Sequence, residues 1–257
     1  MERTTIKLVS RPKLKNPVLI QGLPGIGNVG RIAAGYLVNE LKTKLFAELY
    51  SPHFLPIVVV RPDGIMRPIK AEFYYYKSKH NDFVFLIGDS QSITSHGYYE
   101  IAGKIVDFAK EIGVKEIITL GGLGVEKVVK EPKVVGAANS EAMRQRLEQH
   151  GIEVRGELIT NIVGIAGLVP ALAKNEEIDA ACLLAETPGF PLVIADPIAA
   201  ESMLRTLLKL FDLKVDLGKL EKEAKELEEK LKKTREMQQK MLEQLKTEER
   251  REIGYIG

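Results

Sequence analysis

Val18-Leu19-Ile20-Gln21-Gly22-Leu23-Pro24-Gly25-Ile26-Gly27-Asn28-Val29-Gly30 decides the fold. A short apolar run enters a glycine-rich turn and leaves it as a helical pattern. That pattern runs from Val29 to Leu41, with Ile32, Ala33, Tyr36, Leu37 and Leu41 on its apolar positions. The same order of events recurs along the chain. Phe83-Val84-Phe85-Leu86-Ile87 runs into Gly88-Asp89-Ser90, and Glu116-Ile117-Ile118-Thr119-Leu120 into Gly121-Gly122-Leu123-Gly124. Ala181-Cys182-Leu183-Leu184-Ala185 runs into Glu186-Thr187-Pro188-Gly189. Unbroken apolar runs of this length read as strands buried on both faces, as in a parallel sheet. Helical patterns separate them at Tyr98 to Ile112, Ser140 to His150 and Pro197 to Phe211. Ser140 and Asp196 are predicted N-caps, and Pro197 suits the first helical position. The alternation predicts an α/β domain with a doubly wound, mostly parallel sheet. Ile57-Val58-Val59-Val60 and Ile69 to Tyr76 flank the turn Arg61-Pro62-Asp63-Gly64 and read as a strand pair appended to that sheet.

Composition narrows the function. The 37 basic and 35 acidic residues leave a net charge of only +2, which argues against a dedicated nucleic-acid binder. The one cysteine, Cys182, excludes an internal disulfide framework and fits a reducing, cytoplasmic setting. No apolar stretch is long enough to predict a membrane span. Met1-Glu2-Arg3 does not begin a signal-peptide pattern.

The final part of the chain differs in texture. Leu213 to Glu249 reads as one long charged helix. Leu217, Leu220, Ala224, Leu227, Leu231, Thr234, Gln238, Met241 and Leu245 are spaced alternately three and four, a heptad seam with a polar centre. Leu220, Leu227, Leu231 and Met241 are its candidate coiled-coil contacts. A lone solvated helix and a helix folded back on its own domain fit the same pattern. After Glu248-Glu249-Arg250-Arg251-Glu252 comes the apolar tip Ile253-Gly254-Tyr255-Ile256-Gly257. The expected organisation is an α/β core over residues 1–212, a charged stalk over 213–252 and a docking tip over 253–257. Ile253, Tyr255, Ile256 and Gly257 are the candidate partner-binding residues.

Several motifs bear on chemistry. Gly25, Gly27 and Gly30 satisfy G-x-G-x-x-G between a strand and a helix, and Glu48 follows near the end of a second predicted strand. In a dinucleotide-binding fold such glycines admit a pyrophosphate, and such an acid binds the ribose. The competing reading is a tight turn and close helix–sheet contact, with Pro24 stiffening the loop. Ser90, Ser95 and His96 supply a nucleophile and a base in type, but an Asp/Ser-rich helix entry explains them more simply. His53, His80, His96 and His150 show no metal-ligand spacing with one another or with Cys182. Cys182 lies inside an apolar run and is expected to be buried and inert. Tyr74-Tyr75-Tyr76 reads as a strand face or subunit contact. No cofactor and no metal is expected.

Taken in order, Gly22 to Gly30, Gly88-Asp89-Ser90-Gln91 and Gly121-Gly122-Leu123-Gly124 resemble the proteasome assembly chaperone 2 family, and in particular its archaeal members. The resemblance spans approximately Pro17 to Phe211 and includes Asn161-Ile162-Val163-Gly164 and Glu186-Thr187-Pro188-Gly189. It implies an α/β/α sandwich similar to nucleoside phosphorylases, with no enzymatic activity retained. It also implies homo-oligomers and binding to the proteasome α-ring. Proteins that dock on that ring often end in hydrophobic-tyrosine-any residue. Here Tyr255 is third from the end rather than next to last, a displaced version of that pattern.

The expected function is therefore a non-enzymatic binding protein. It would assemble into a homo-oligomer and engage the α subunits of a 20S-type proteasome through its C-terminal tails, as an assembly chaperone or an activator. The alternative is a nucleotide- or nucleoside-binding enzyme using the glycine-rich loop 22–30 and a crevice near Asp89, Ser90 and Gly122. A scaffold that recruits helical partners through the coiled coil is the third reading.

Overall fold

The arrangement comes from a computed structural model that describes residues 1–127, 129–154, 156–157, 159–188, 193–226 and 229. In chain order the elements are β1 (Thr5–Leu8), β2 (Val18–Gly22), α1 (Val29–Glu40), β3 (Lys44–Tyr50), β4 (Val58–Val60), β5 (Met66–Pro68), β6 (Ala71–Tyr76) and β7 (Phe83–Gly88). Then follow α2 (Ser95–Glu111), β8 (Glu116–Gly124), β9 (Val134–Ala138), α3 (Glu141–Gln149), β10 (Glu153–Val154), α4 (Ile165–Ala173), β11 (Asp179–Thr187) and α5 (Pro197–Phe211).

Nine strands form one sheet in the order β1-β3-β6-β7-β2-β8-β11-β9-β10. The four apolar runs read from the sequence are its centre. β7, β2, β8 and β11 lie side by side and parallel, with Val18 opposite both Phe83 and Glu116, and Glu116 opposite Asp179. β6, β3 and β1 extend one side with antiparallel pairings. β9 pairs antiparallel with β11 on the other side and carries β10 parallel to itself. This is the mixed α/β fold with a mostly parallel central sheet that the alternation predicts. The appended strand pair comes out differently. β6 is an integral strand of the main sheet, while β4 and β5 pair only with each other. Pro68 ends β5, and a proline cannot donate to a continuing ladder.

Every residue of β2 is buried, as a strand covered on both faces requires. Successive side chains point to opposite faces, so each strand feeds two layers. Leu19, Val84, Leu86 and Ile117 share one core with Ile101, Ile105, Ile165 and Val169, which places α2 and α4 together on that face. Phe83 meets Phe211 ring edge to face on the other side, where α1 packs on α5.

Two glycines set the depth of α1. A Cβ on Gly22 would stand 2.1 Å from the Gly30 carbonyl oxygen, and a Cβ on Gly30 would stand 2.3 Å from the Leu120 carbonyl oxygen. Backbone therefore lies on backbone where α1 crosses β2 and β8.

Local capping follows the sequence. Ser140 accepts from Met143 N–H and Asp196 from Ala199 N–H. Thr94 caps α2 by accepting from Gly97 N–H, so that helix starts earlier than its apolar stripe suggests. α4 holds Pro170 in its interior. A proline there cannot bond the carbonyl four residues back, which belongs to Ala166. The buried Thr119 hydroxyl donates to that same oxygen at 2.6 Å and replaces the missing partner.

The long C-terminal helix does not begin at Leu213. α5 closes at Phe211, Asp212 adopts the left-handed conformation at φ 49°, and Leu213 N–H bonds back to the Leu208 carbonyl. That is a Schellman-type stop. Residues 213–217 are not helical, and helix resumes at 218–226. The chain divides into a unit of Met1–Asp216 and a second unit from Leu217 onward. Leu220 lies on the resumed helix. Leu227, Leu231 and Met241, and the tip residues Ile253, Tyr255, Ile256 and Gly257, lie outside the described residues.

The backbone contact of α1 gives a direct test. Gly30→Ala should lower unfolding stability by about 1–3 kcal/mol or more, as overpacking does. Gly35 sits in the same helix, and a Cβ added there would meet no heavy atom within 4 Å. Gly35→Ala should therefore be neutral or stabilising by up to about 1 kcal/mol. Urea unfolding of the two variants measures the difference; equal effects would refute the close-approach account.

Candidate functional site

The parallel strands end together, and a crevice opens at their C-terminal edge, where open α/β sheets commonly bind ligands. It encloses about 360 Å³ between the Gly25–Ile26 turn, Gly121–Gly124 of β8 and the segment Asn161–Gly164. Gln91 staples its wall: its amide Nε2 donates to the Pro24 carbonyl, and its Oε1 accepts from Ile165 N–H at 3.0 Å. Gln21 is buried in the crevice lining, and its Oε1 has no hydrogen-bond partner among the described residues. The rim is apolar, with Ile26 and Val163 exposed. Among the described lining residues there is no Asp, Glu, His, Lys, Arg or Cys. Such a wall offers shape and neutral polar groups. It offers no acid–base pair, and no side-chain cation to hold a phosphate.

The glycine motif is brought to this crevice, and two of its three glycines, Gly27 and Gly30, have a packing reason, while a Cβ on Gly25 would meet only the Gln91 amide at 3.7 Å. Gly30 admits β8 as described above. Gly27 has φ +60°, and a Cβ on it would fall 2.7 Å from the Thr187 hydroxyl oxygen. Its carbonyl accepts from Asp196 N–H. The Asp196 carboxylate accepts from Thr187 Oγ1 at 2.7 Å and from Ala199 N–H at 3.0 Å. A buried carboxylate thus stands beside the turn, where an incoming phosphate would be repelled. Gly122 is equally constrained, since its Cβ would meet the Ile26 carbonyl oxygen at 2.4 Å.

Glu48 cannot serve a nucleotide at that turn. Its strand, β3, is separated from β2 by β6 and β7. Glu48 and Glu72 instead flank Lys70 as ion pairs. The Lys70 hydrogen bond holds the Glu48 carboxyl below its ordinary range against the opposing effect of burial. Burial alone would lower the Lys70 ammonium, but the two carboxylates outweigh it and drive its pKa up.

Asp89 is likewise a brace and not a crevice ligand. Arg67 of β5 grips it with two hydrogen bonds, at 2.5 and 3.1 Å, and Lys70 N–H adds a third. Burial raises the Asp89 carboxyl, yet these donors prevail and hold it below the usual carboxylate range. The pair ties the β4–β5 hairpin to the end of β7. That hairpin and its approach expose Leu55, Ile57, Val58, Val60, Ile65 and Met66. So dense an apolar display on two short strands is the kind of patch that marks an interaction surface.

Ser90, Ser95 and His96 do not assemble into a nucleophile and base. Ser90 is buried and donates to the Gln91 carbonyl, while His96 is largely exposed and faces Glu100 at 3.6 Å. The histidine that does join this group is His53, from the loop after β3. Its separation of more than forty positions from His96 hid it in the sequence. Cys182 is buried as expected, and burial pushes its thiol up to about 12.

The PAC2 family model matches residues 19–235. The chain belongs to the PAC2 family. Its fold is shared with Pyrococcus furiosus PbaB, described as an archaeal proteasome activator, at TM-score 0.84 and 40% identity, covering 91% of this chain and 100% of that one. Pyrococcus furiosus PbaA, an archaeal homolog of proteasome-assembly chaperone, matches at TM-score 0.72 and 30% identity, covering 92% and 99%. The Methanocaldococcus jannaschii protein MJ1210 is 37% identical over 259 residues, with 98% of each chain covered. Among the described residues of this PAC2 chain, no helix is long and apolar enough to cross a membrane.

The brace at Asp89 predicts a pH signature. A carboxyl depressed in the folded state stabilises fully above its unfolded value of about 3.9, and loses that contribution as pH falls through the folded value. Asp89→Asn should therefore cost about 1–3 kcal/mol at pH 7. Its deficit relative to the native chain should shrink below about pH 4. Urea titrations at both pH values check this, and a deficit that stays constant would contradict it.

Proposed function

We propose that this protein is a non-enzymatic factor of the 20S proteasome, acting on its α subunits as an activator or assembly chaperone. The observation that carries the reading is the 40% identity to an archaeal proteasome activator over the whole of that chain. The greater likeness to PbaB than to PbaA favours activation over assembly. A crevice without charged side chains among its described lining residues, with Gly27 and Gly30 committed to packing, favours binding over catalysis.

In this reading the α/β unit is a platform. Copies of the chain meet through the apolar β4–β5 hairpin, because an isolated two-stranded sheet is marginal in water until something covers it. Each copy contributes one C-terminal segment, with Leu220, Leu227, Leu231 and Met241 along the heptad seam. Ile253, Tyr255, Ile256 and Gly257 form the docking element. Tyrosine supplies a large contact area at low conformational cost, and several weak elements on one oligomer bind by avidity. The displaced tyrosine would shift the anchor one residue from the family pattern.

Two measurements test this. Full-length protein should stimulate peptide hydrolysis by an archaeal 20S proteasome, and a chain ending at Glu252 should not. Equal stimulation by both would move docking away from the tip, and stimulation by neither would count against activation. For the oligomer, Val58→Glu with Met66→Glu should lower the mass found by light scattering to that of a smaller species. An unchanged mass would exclude the hairpin as the contact between copies.

A further inference from the structure

We infer that His53, His96 and Glu100 form a binding site for a divalent transition-metal ion of the zinc class. The three residues come from two places. His53 lies in the loop between β3 and β4. His96 and Glu100 stand four residues apart in the first turns of α2 and therefore on one face of it. One ligand atom from each, a ring nitrogen of either histidine and a carboxylate oxygen, lie within 4.8 Å of one another.

The distances suit a metal. Glu100 Oε2 is 3.3 Å from His53 Nε2 and 3.6 Å from His96 Nε2. Zinc bonds of ~2.0–2.1 Å in a tetrahedron require ligand atoms about 3.3 Å apart. Two edges of the ligand triangle are thus near their required length. The imidazole rings meet at 73° with centroids 5.4 Å apart, close enough for both to reach one ion beside the carboxylate. The remaining edge depends on His96, whose side chain is 80% exposed and can rotate to close it. The same exposure gives the ion an entry path and leaves the fourth position to water.

The other atoms of these side chains are already held. Glu100 Oε1 accepts the Thr4 backbone N–H, leaving Oε2 for the histidines. His53 Nδ1 lies 3.0 Å from Thr94 Oγ1, the oxygen that also accepts Gly97 N–H as the cap of α2. A hydroxyl oxygen has two lone pairs, so it can accept both N–H groups. With the ring proton on Nδ1 and donated to that oxygen, Nε2 is the nitrogen left for a metal, the orienting role that outer-sphere partners play. Gly97 makes room for the ring, since a Cβ there would stand 2.2 Å from His53 Cβ.

Two imidazole nitrogens and one carboxylate favour zinc, cobalt(II) or nickel(II) over magnesium or calcium, which prefer all-oxygen shells. A bound ion would clamp the root of the β4–β5 hairpin to α2 and to the segment before β1. This stiffening of the apolar surface needs no part of the proteasome reading.

The test uses the full-length chain freed of metal by a chelator. Cobalt(II) titration should give one tetrahedral site per chain by its visible absorption, and calorimetry with zinc should give matching stoichiometry. His96→Ala alters an exposed side chain and should fold normally, yet it should weaken zinc binding by at least ~10-fold. Glu100→Gln should weaken it too. His80→Ala, which removes an exposed histidine outside the cluster, should leave it unchanged. No cobalt band, or zinc binding that survives His96→Ala intact, would reduce the cluster to a histidine–glutamate ion pair and overturn the assignment.

Discussion

α1 lies with its backbone against the backbone of β2 and β8, and the rest of the architecture is arranged around that contact. Gly22 and Gly30 leave no side chain between helix and sheet. The helix therefore sits deep, and its entry turn is pressed against the end of β11. Thr187 and Asp196 fill the space beside Gly27 and start α5 from the same point. One close approach thus fixes α1, the start of α5 and the near wall of the crevice together.

The same constraint explains why a nucleotide-like motif need not bind a nucleotide. G-x-G-x-x-G spacing provides backbone room, and room can be used by a pyrophosphate or by the protein itself. Here the protein uses it. Gly27 is packed by Thr187, Gly30 by Leu120, and the nearby charge is the Asp196 carboxylate. Glu48 completes the motif in sequence but lies strands away in space, held by Lys70. The crevice that remains is neutral and glycine-walled. Among the described residues, the densest exposed apolar display is elsewhere, on the β4–β5 hairpin and its approach.

Most of the central sheet was legible in the sequence because its strands are continuous apolar runs bounded by glycine. The caps at Ser140 and Asp196 were legible because capping is local chemistry. α4 was not, since it is almost wholly apolar, lacks a polar face and contains Pro170. What permits that proline is Thr119, distant in sequence. The helix end at Phe211 was legible, but the non-helical stretch 213–217 was not, because Leu213-Lys214-Val215-Asp216-Leu217 holds no glycine or proline to interrupt a helical reading. His53, Thr94 and Glu100 meet only because β3 and α2 are brought together, and no spacing rule joins a loop residue to a helix so far along the chain. Arg67–Asp89 was hidden in the same way, so a loop residue that looked available to a crevice is in fact a strut.

In the function proposed above, this α/β platform is built to sit on another protein assembly. Electron microscopy of the full-length chain mixed with archaeal 20S proteasome tests that most directly. The proposal predicts added density capping the α-ring at one or both ends of the cylinder. Bare cylinders at saturating protein concentration would contradict it.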